Sequence, residues 1–194
     1  MGSSNMEMRD PALHIREGLH LRESVTTDEY MRFWQLIEGH DEGLRRLAYR
    51  MLSNREDMDD VLQEVYIKAF RGMAGFRGDA SLGTWLYRLT YNACIDRLRQ
   101  ARRGAQFSLD EVPEAMGRNG TGGGADWDDP AELVCRRDGL SRALAALPPE
   151  HRATVLLVDA EGYSQAEAAE ILGIPAGTVA SRLHHARAAL RRVL

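Results

Sequence analysis

Arg55-Glu-Asp-Met-Asp-Asp-Val-Leu-Gln-Glu-Val-Tyr-Ile-Lys-Ala-Phe70 is followed, after a short loop, by Leu82-Gly-Thr-Trp-Leu-Tyr-Arg-Leu-Thr-Tyr-Asn92, and these two runs decide the fold. In the first, Met58, Val61, Leu62, Val65, Tyr66, Ala69 and Phe70 recur at steps of three and four, the period of a helix with one buried face. Opposite them Asp57, Asp60, Gln63 and Glu64 make a mainly acidic stripe near the helix start, where carboxylates favour the helix dipole. The second run inverts the charge. Leu82, Trp85, Leu86, Leu89 and Ala93 share one side of its helix, and Tyr87, Arg88, Tyr91, Asn92, Arg99 and Arg102 share another. Arginines neutralise phosphate, rings stack on bases and an amide hydrogen-bonds a base edge, so this face suits single-stranded nucleic acid. A solvated face with half-buried tyrosines has the same composition.

The chain has 194 residues and a formal net charge of −4. That length accommodates one medium domain or two small ones, and that charge argues against a bulk polyanion binder. Charge is distributed unevenly. Residues 104–132 hold seven acidic side chains and one basic one, whereas 175–194 hold four arginines and no acid. The two cysteines, Cys94 and Cys135, lie far apart without a CxxC or Cys/His cluster, so no disulfide framework, metal site or cofactor is expected. Cys94 reads as a small helix residue, and the adjacent His184 and His185 point to different faces of a helix. No run of eighteen apolar residues and no signal pattern occurs, and a soluble cytoplasmic protein is the expectation.

Residues 1–24 have mixed polarity, and Met1-Gly2-Ser3-Ser4-Asn5 reads as a leader. Thr26 or Thr27 caps a helix with Tyr30, Phe33, Trp34 and Ile37 inward; Gly39 and Gly43 bracket a turn; Leu44, Leu47, Ala48, Met51 and Leu52 form the next helix, up to Ser53-Asn54. Four helices over residues 25–103 make an all-α unit on this reading. From 104 to 130 the glycines, Pro113 and Pro130, and the acidic side chains oppose a packed core, and an acidic Gly-rich linker is expected.

Residues 131–194 return to helical periodicity. Ser164-Gln-Ala-Glu167 matches a capping box, Gly173 stops the short helix, and Ile174-Pro175 launches a last helix with Val179, Leu183, Ala186 and Leu190 inward. A short helix, a glycine turn and a second helix presenting Ser181, Arg182, His184, His185, Arg187 and Arg191 outward have the layout of a helix-turn-helix, whose second helix enters the major groove.

With Phe76-Arg-Gly-Asp-Ala-Ser-Leu-Gly-Thr-Trp-Leu-Tyr-Arg-Leu-Thr-Tyr-Asn-Ala-Cys-Ile-Asp-Arg-Leu98 the first run resembles the second domain of a bacterial sigma-70 family factor of the extracytoplasmic-function group. Leu147-Pro-Pro-Glu-His-Arg152, Glu161-Gly-Tyr-Ser164 and Gly177-Thr-Val-Ala-Ser-Arg182 resemble its fourth domain. The resemblance implies a transcription initiation factor, not an enzyme, that binds core RNA polymerase and reads promoter DNA through two small helical domains. It implies that Asp57, Asp60, Val61, Gln63 and Glu64 dock on a coiled coil of polymerase. Arg77, Gly78, Asp79, Ala80 and Ser81 of the loop, with Tyr87, Arg88, Tyr91, Asn92 and Arg99 of the helix, would melt and read the −10 element. Thr178, Ala180, Ser181, Arg182, His184, His185 and Arg187 would read the −35 element. Ala180 stands where the family usually carries Lys or Arg, which removes one cation from that face. The linker would thread toward the active-site channel, and an anti-sigma factor, often membrane-bound, is the implied regulator; no small-molecule substrate is implied.

A second class fits the residues too, a stand-alone helix-turn-helix regulator whose amino-terminal helices sense a ligand or dimerise. Catalysis fits poorly, because no phosphate-binding glycine loop, paired catalytic carboxylates or Ser/His/Asp spacing is present.

Overall fold

The computed structural model describes residues 27–73, 75–78, 80–107 and 138–192. Among these there are seven α-helices and no strand: α1 Thr27–Leu52, α2 Arg55–Met73, α3 Leu82–Phe107, α4 Asp138–Ala146, α5 Pro149–Val155, α6 Gln165–Leu172 and α7 Ala176–Leu190, with a π turn Leu156–Ala160 continuing α5. The leader and the acidic linker lie outside the described residues, except that α3 continues through 104–107.

The first body has three long helices, where the sequence reading expected four. Thr27–Leu52 is one unbroken helix through Gly39 and Gly43. Each glycine costs a helix about 1 kcal/mol against alanine. Burying Phe33, Ile37, Leu44, Leu47 and Met51 on one continuous face outweighs that, at about 1.5–3 kcal/mol per side chain. Gly43 is present for space, not for a turn: a Cβ there would stand 2.0 Å from the Tyr87 hydroxyl. The helix ends at Ser53, which takes a left-handed φ of 54°. The next residue, Asn54, caps α2 by accepting the Asp57 N–H at 3.1 Å. Met58, Val61, Leu62, Val65, Tyr66 and Ala69 of α2 are all buried, as the periodicity predicted.

α3 crosses both helices and buries Leu86, Ala93, Cys94 and Ile95. Ser81 starts it, its hydroxyl accepting the Thr84 N–H at 3.0 Å. Thr90, fully buried, satisfies its own hydroxyl by donating to the Leu86 carbonyl at 3.0 Å.

The second body packs α5 and α6 against α7 around Val155, Leu157, Ile171, Val179 and Leu183. The capping box forms as expected, with Ser164 Oγ accepting the Glu167 N–H and Glu167 accepting the Ser164 N–H at 2.8 Å. Gly173 closes α6 in the left-handed conformation at φ 65°, which favours glycine at this position. The buried side chains of the two bodies form one contiguous cluster. Arg152 crosses between the bodies: it is 7% exposed, and donates to the Met51 carbonyl at 2.6 Å, the Ala145 carbonyl at 2.6 Å and the Leu147 carbonyl at 3.3 Å.

Candidate nucleic-acid interface

Three sets of residues were expected to carry function, and the fold places one on α7, one on α2 and one on α3 with the loop before it. On α7, Ala180, Ser181, His184, His185 and Arg187 are exposed, while Thr178 and Arg182 are half-buried. Pro175, extended at φ −60° and ψ 145°, precedes the first residue of α7, and α7 has no acid in its first turn. Arg187 is already paired within the body, its Nε donating to Asp159 Oδ2 at 3.0 Å. The His184 and His185 rings meet edge to face at 5.6 Å, and His151 lies 6.3 Å from His185. Burial, reinforced by Arg182 and His185, lowers the His151 pKa. No group of three or more metal-binding side chains occurs among the described residues.

The acidic stripe of α2 stands against α3. Arg97 binds Asp57 through Nε at 2.7 Å and approaches Asp60 at 3.6 Å, and the hydrogen bond to Asp57 is the main cause of its raised pKa. Asp60 and Glu64 remain exposed, Glu64 pairing with Lys68 one turn on. Gln63 is half-buried. Val61, at 3% exposure, is held in the core by the apolar face it shares with Met58 and Val65. It also lines a groove of about 250 Å³ together with Asp60, Glu64, Arg97 and Arg103.

The third set departs most from expectation. Arg77 and Gly78 are exposed and Ala80 is half-buried, while Asp79 lies outside the described residues. Ser81 is exposed but serves as the cap of α3. Asn92 and Arg99 are exposed, Arg99 reaching Asp96 at 3.5 Å. Tyr87 and Tyr91, expected to face bases, are only 5% and 9% exposed. The second body covers them. Tyr87 donates its hydroxyl to Glu161 at 3.0 Å and packs edge-on against Tyr163 at 5.0 Å. Arg88 Nε donates to the Glu170 carbonyl at 3.0 Å, at the open end of α6, where helix carbonyls lack internal donors. Burial raises the Tyr91 pKa, partly offset by the Arg182 guanidinium beside it.

Sequence reasoning missed the partners that do this. Arg46 binds Glu161 at 3.0 Å, and the Glu161 side chain is 4% exposed. Tyr163 is half-buried between the bodies, its hydroxyl 3.4 Å from where a Cβ on Gly83 would lie. Glu161 and Tyr163 fall within a quoted motif, but nothing in their spacing marks Arg46 as their partner.

The profile described as sigma-70 region 2 matches residues 36–104, and the one described as sigma-70 region 4 matches residues 137–190. The extracytoplasmic-function RNA polymerase sigma factor SigM of Mycobacterium tuberculosis is 38% identical over 93% of this chain and 86% of its own length. The chain belongs to the extracytoplasmic-function group of sigma-70 factors. The sigma-E factor of Escherichia coli is 36% identical over 88% of this chain and 90% of its own length. Among solved structures, CnrH in complex with the cytosolic domain of CnrY superposes with a TM-score of 0.60 at 25% identity, covering 94% of this chain and 93% of that one. The sigma factor RpoE in complex with the anti-sigma factor NepR from Bartonella quintana shares the fold, with a TM-score of 0.62 at 24% identity over 87% of this chain and 97% of that one. As a sigma factor the chain is a transcription initiation factor that directs RNA polymerase to promoters. Relatedness on both sides of the linker disfavours the stand-alone regulator. No helix among the described residues is long and apolar enough to cross a membrane.

Proposed function

We propose a residue-level division of labour for this sigma factor, acting in the bacterial cytoplasm on core RNA polymerase and promoter DNA. Residues 25–103 dock on polymerase and read the −10 element, residues 131–194 read the −35 element, and 104–130 is the connecting linker. The observation that carries the reading is the segregation of charge by element. Acidic side chains concentrate at the start of α2, whereas arginines, tyrosines and Asn92 concentrate on one side of α3, and α7 offers arginines and histidines without acid.

The α2 stripe docks through Asp60, Gln63 and Glu64, with Asp57 held in place by Arg97. Charge complementarity of this kind speeds encounter and selects the partner. On α3, Asn92 reads a base edge, Tyr87 and Tyr91 stack on unpaired bases, and Arg88 and Arg99 bind phosphate. Extruding a base costs a few kcal/mol, which stacking at about 1–3 kcal/mol per base offsets. On α7, Ser181, His184 and Arg187 are the groove-facing candidates, with residues of the first two turns near base edges and the later arginines near phosphates. For α3 to read DNA, the second body must first leave it, since Glu161 and Tyr163 lie against Tyr87 and Arg182 lies beside Tyr91. The anti-sigma factor NepR bound to RpoE, and the cytosolic domain of CnrY bound to CnrH, support a protein partner of the anti-sigma kind for this chain as well.

The test is reconstitution with core polymerase and selection of bound promoter fragments. Run-off transcription from the selected fragments, dependent on this chain, is expected. Sequence-specific duplex binding without polymerase, and no run-off product with it, would overturn the assignment.

A further inference from the structure

We propose that His184 and His185 meet the −35 duplex as imidazolium ions, so that promoter reading by α7 takes up protons. The inference deepens the preceding reading and rests on it for α7 as the helix that enters the groove.

α7 is poor in permanent charge for a helix with that task. Between Ala176 and Leu190 its arginines are Arg182 and Arg187, and it has no lysine. Arg182 is half-buried beside Tyr91, and Arg187 is paired with Asp159. Ala180, though exposed, adds no charge, and Arg191 and Arg192 come only after the helix has ended. The turns that enter a groove lie near the helix start. There the further charge is conditional. His184 and His185 are both exposed, and their rings meet edge to face with centroids 5.6 Å apart. Histidine changes charge between pH 5 and 8, and a nearby anion favours its protonated form.

A third imidazole decides which rings take the protons. His151 of α5 is half-buried, its ring 6.3 Å from that of His185. Its Nδ1 is buried and has no hydrogen-bond partner among the described residues. Burial, then Arg182 and His185, disfavour its charged form, and Glu150 opposes them. A proton entering the cluster therefore goes to the exposed pair. Of the other charged groups on elements packed against α7, Asp159 of the π turn is taken by Arg187 and Glu167 of α6 by Ser164. α6 also carries Glu170 and α4 carries Arg142, both exposed, while α3 brings Tyr91 and Arg99 to the side of Arg182.

The sign follows from proton count. The DNA-bound state holds more protons than the free one, so affinity rises as pH falls and is lost as pH climbs through the imidazole range. The loss is up to about tenfold per pH unit for each proton taken up. Each imidazolium that neutralises a phosphate also releases a counterion, which steepens the salt dependence at low pH.

The test uses holoenzyme assembled from the full chain and core polymerase. Fluorescence anisotropy gives its affinity for a promoter fragment recovered by selection and for the same fragment with the −35 element scrambled. Their ratio is the contribution of −35 reading. It is expected to fall about tenfold or more between about pH 6 and pH 8. The slope of its logarithm against log salt is expected to be steeper at the lower pH by about 0.9 per phosphate neutralised. His184→Gln with His185→Gln keeps exposed polar side chains and should level both dependences at unchanged helicity by circular dichroism. His185→Arg installs a permanent cation and should raise the ratio at the higher pH and weaken its fall. A ratio above one that stays level across this range, or a fall that persists in the double Gln variant, would overturn the inference and leave α7 as the −35 helix. A ratio of one at every pH would overturn that reading of α7 as well.

Discussion

Replacing Arg152 by Met keeps the unbranched stem and removes the guanidinium. Among the described residues Arg152 bonds no carboxylate; its head group donates to three backbone carbonyls, those of Met51, Ala145 and Leu147. Burial lowers its pKa, and a buried guanidinium needs such bonds to offset its desolvation. Hydrogen bonds from a charged donor contribute about 1.5–3 kcal/mol each, and a buried acceptor left alone costs about 1–3 kcal/mol. Ala145 is exposed and its carbonyl can rehydrate, whereas Met51 and Leu147 are buried. Two stranded acceptors, less the desolvation that Arg152 no longer suffers, give a net loss of about 2–5 kcal/mol. Urea unfolding of the full chain followed by far-ultraviolet circular dichroism measures it as a lower midpoint at unchanged slope. Arg152→Lys should fall between the two, because a compact ammonium cannot span three separated acceptors as a planar fork does. A loss below about 1 kcal/mol, or a Lys variant as stable as the parent, would refute the view that this arginine clasps the helix ends together.

Three further outcomes are expected. Asp60→Lys with Glu64→Lys should weaken polymerase binding in a pull-down or fluorescence titration with little change in unfolding midpoint, since exposed charges contribute about 0–1 kcal/mol to stability; undiminished affinity would leave the stripe as a solvated face. Asn92→Ala should relax discrimination at one −10 position by about 1–3 kcal/mol, read by run-off transcription on single-base promoter variants; equal loss on every variant would make Asn92 structural. Burial pushes the Cys94 thiol up from 9.0 to about 12, so the folded chain keeps a proton that the unfolded chain releases. Stability should therefore be fully present below pH 9 and fall as pH rises from 9 toward 12, with Tyr66 and Tyr87, also raised by burial, acting in the same direction. Denaturation midpoints against pH, with Cys94→Ala declining less, test this.

The local devices of the fold were legible because they depend on near neighbours in the chain. Ser164 and Glu167, three residues apart, formed their capping box; Asn54 capped α2; and the period of Met58 to Ala69 placed its buried face correctly. Gly39 and Gly43 misled because propensity cannot register what packs on a helix from 44 residues further along: the tip of Tyr87 occupies the space above Gly43. The composition of α3 was read as a nucleic-acid surface, and its tyrosines proved to be covered. An aromatic and arginine-rich face suits a helix end and a carboxylate as well as it suits bases, and only the tertiary arrangement reveals which of them it holds in the free chain. Glu161 and Arg46 escaped notice for the same reason, being 115 residues apart.

The bare backbone at Gly43 has a consequence for how this factor could be tuned. A methyl group there would collide with the phenol of Tyr87 and press on Glu161 from a helix assigned neither to the −10 nor to the −35 surface. The contact between the two bodies thus depends on a position that no promoter sequence constrains. One hydrogen atom in place of a carbon is what lets Tyr87 and Glu161 meet over α1.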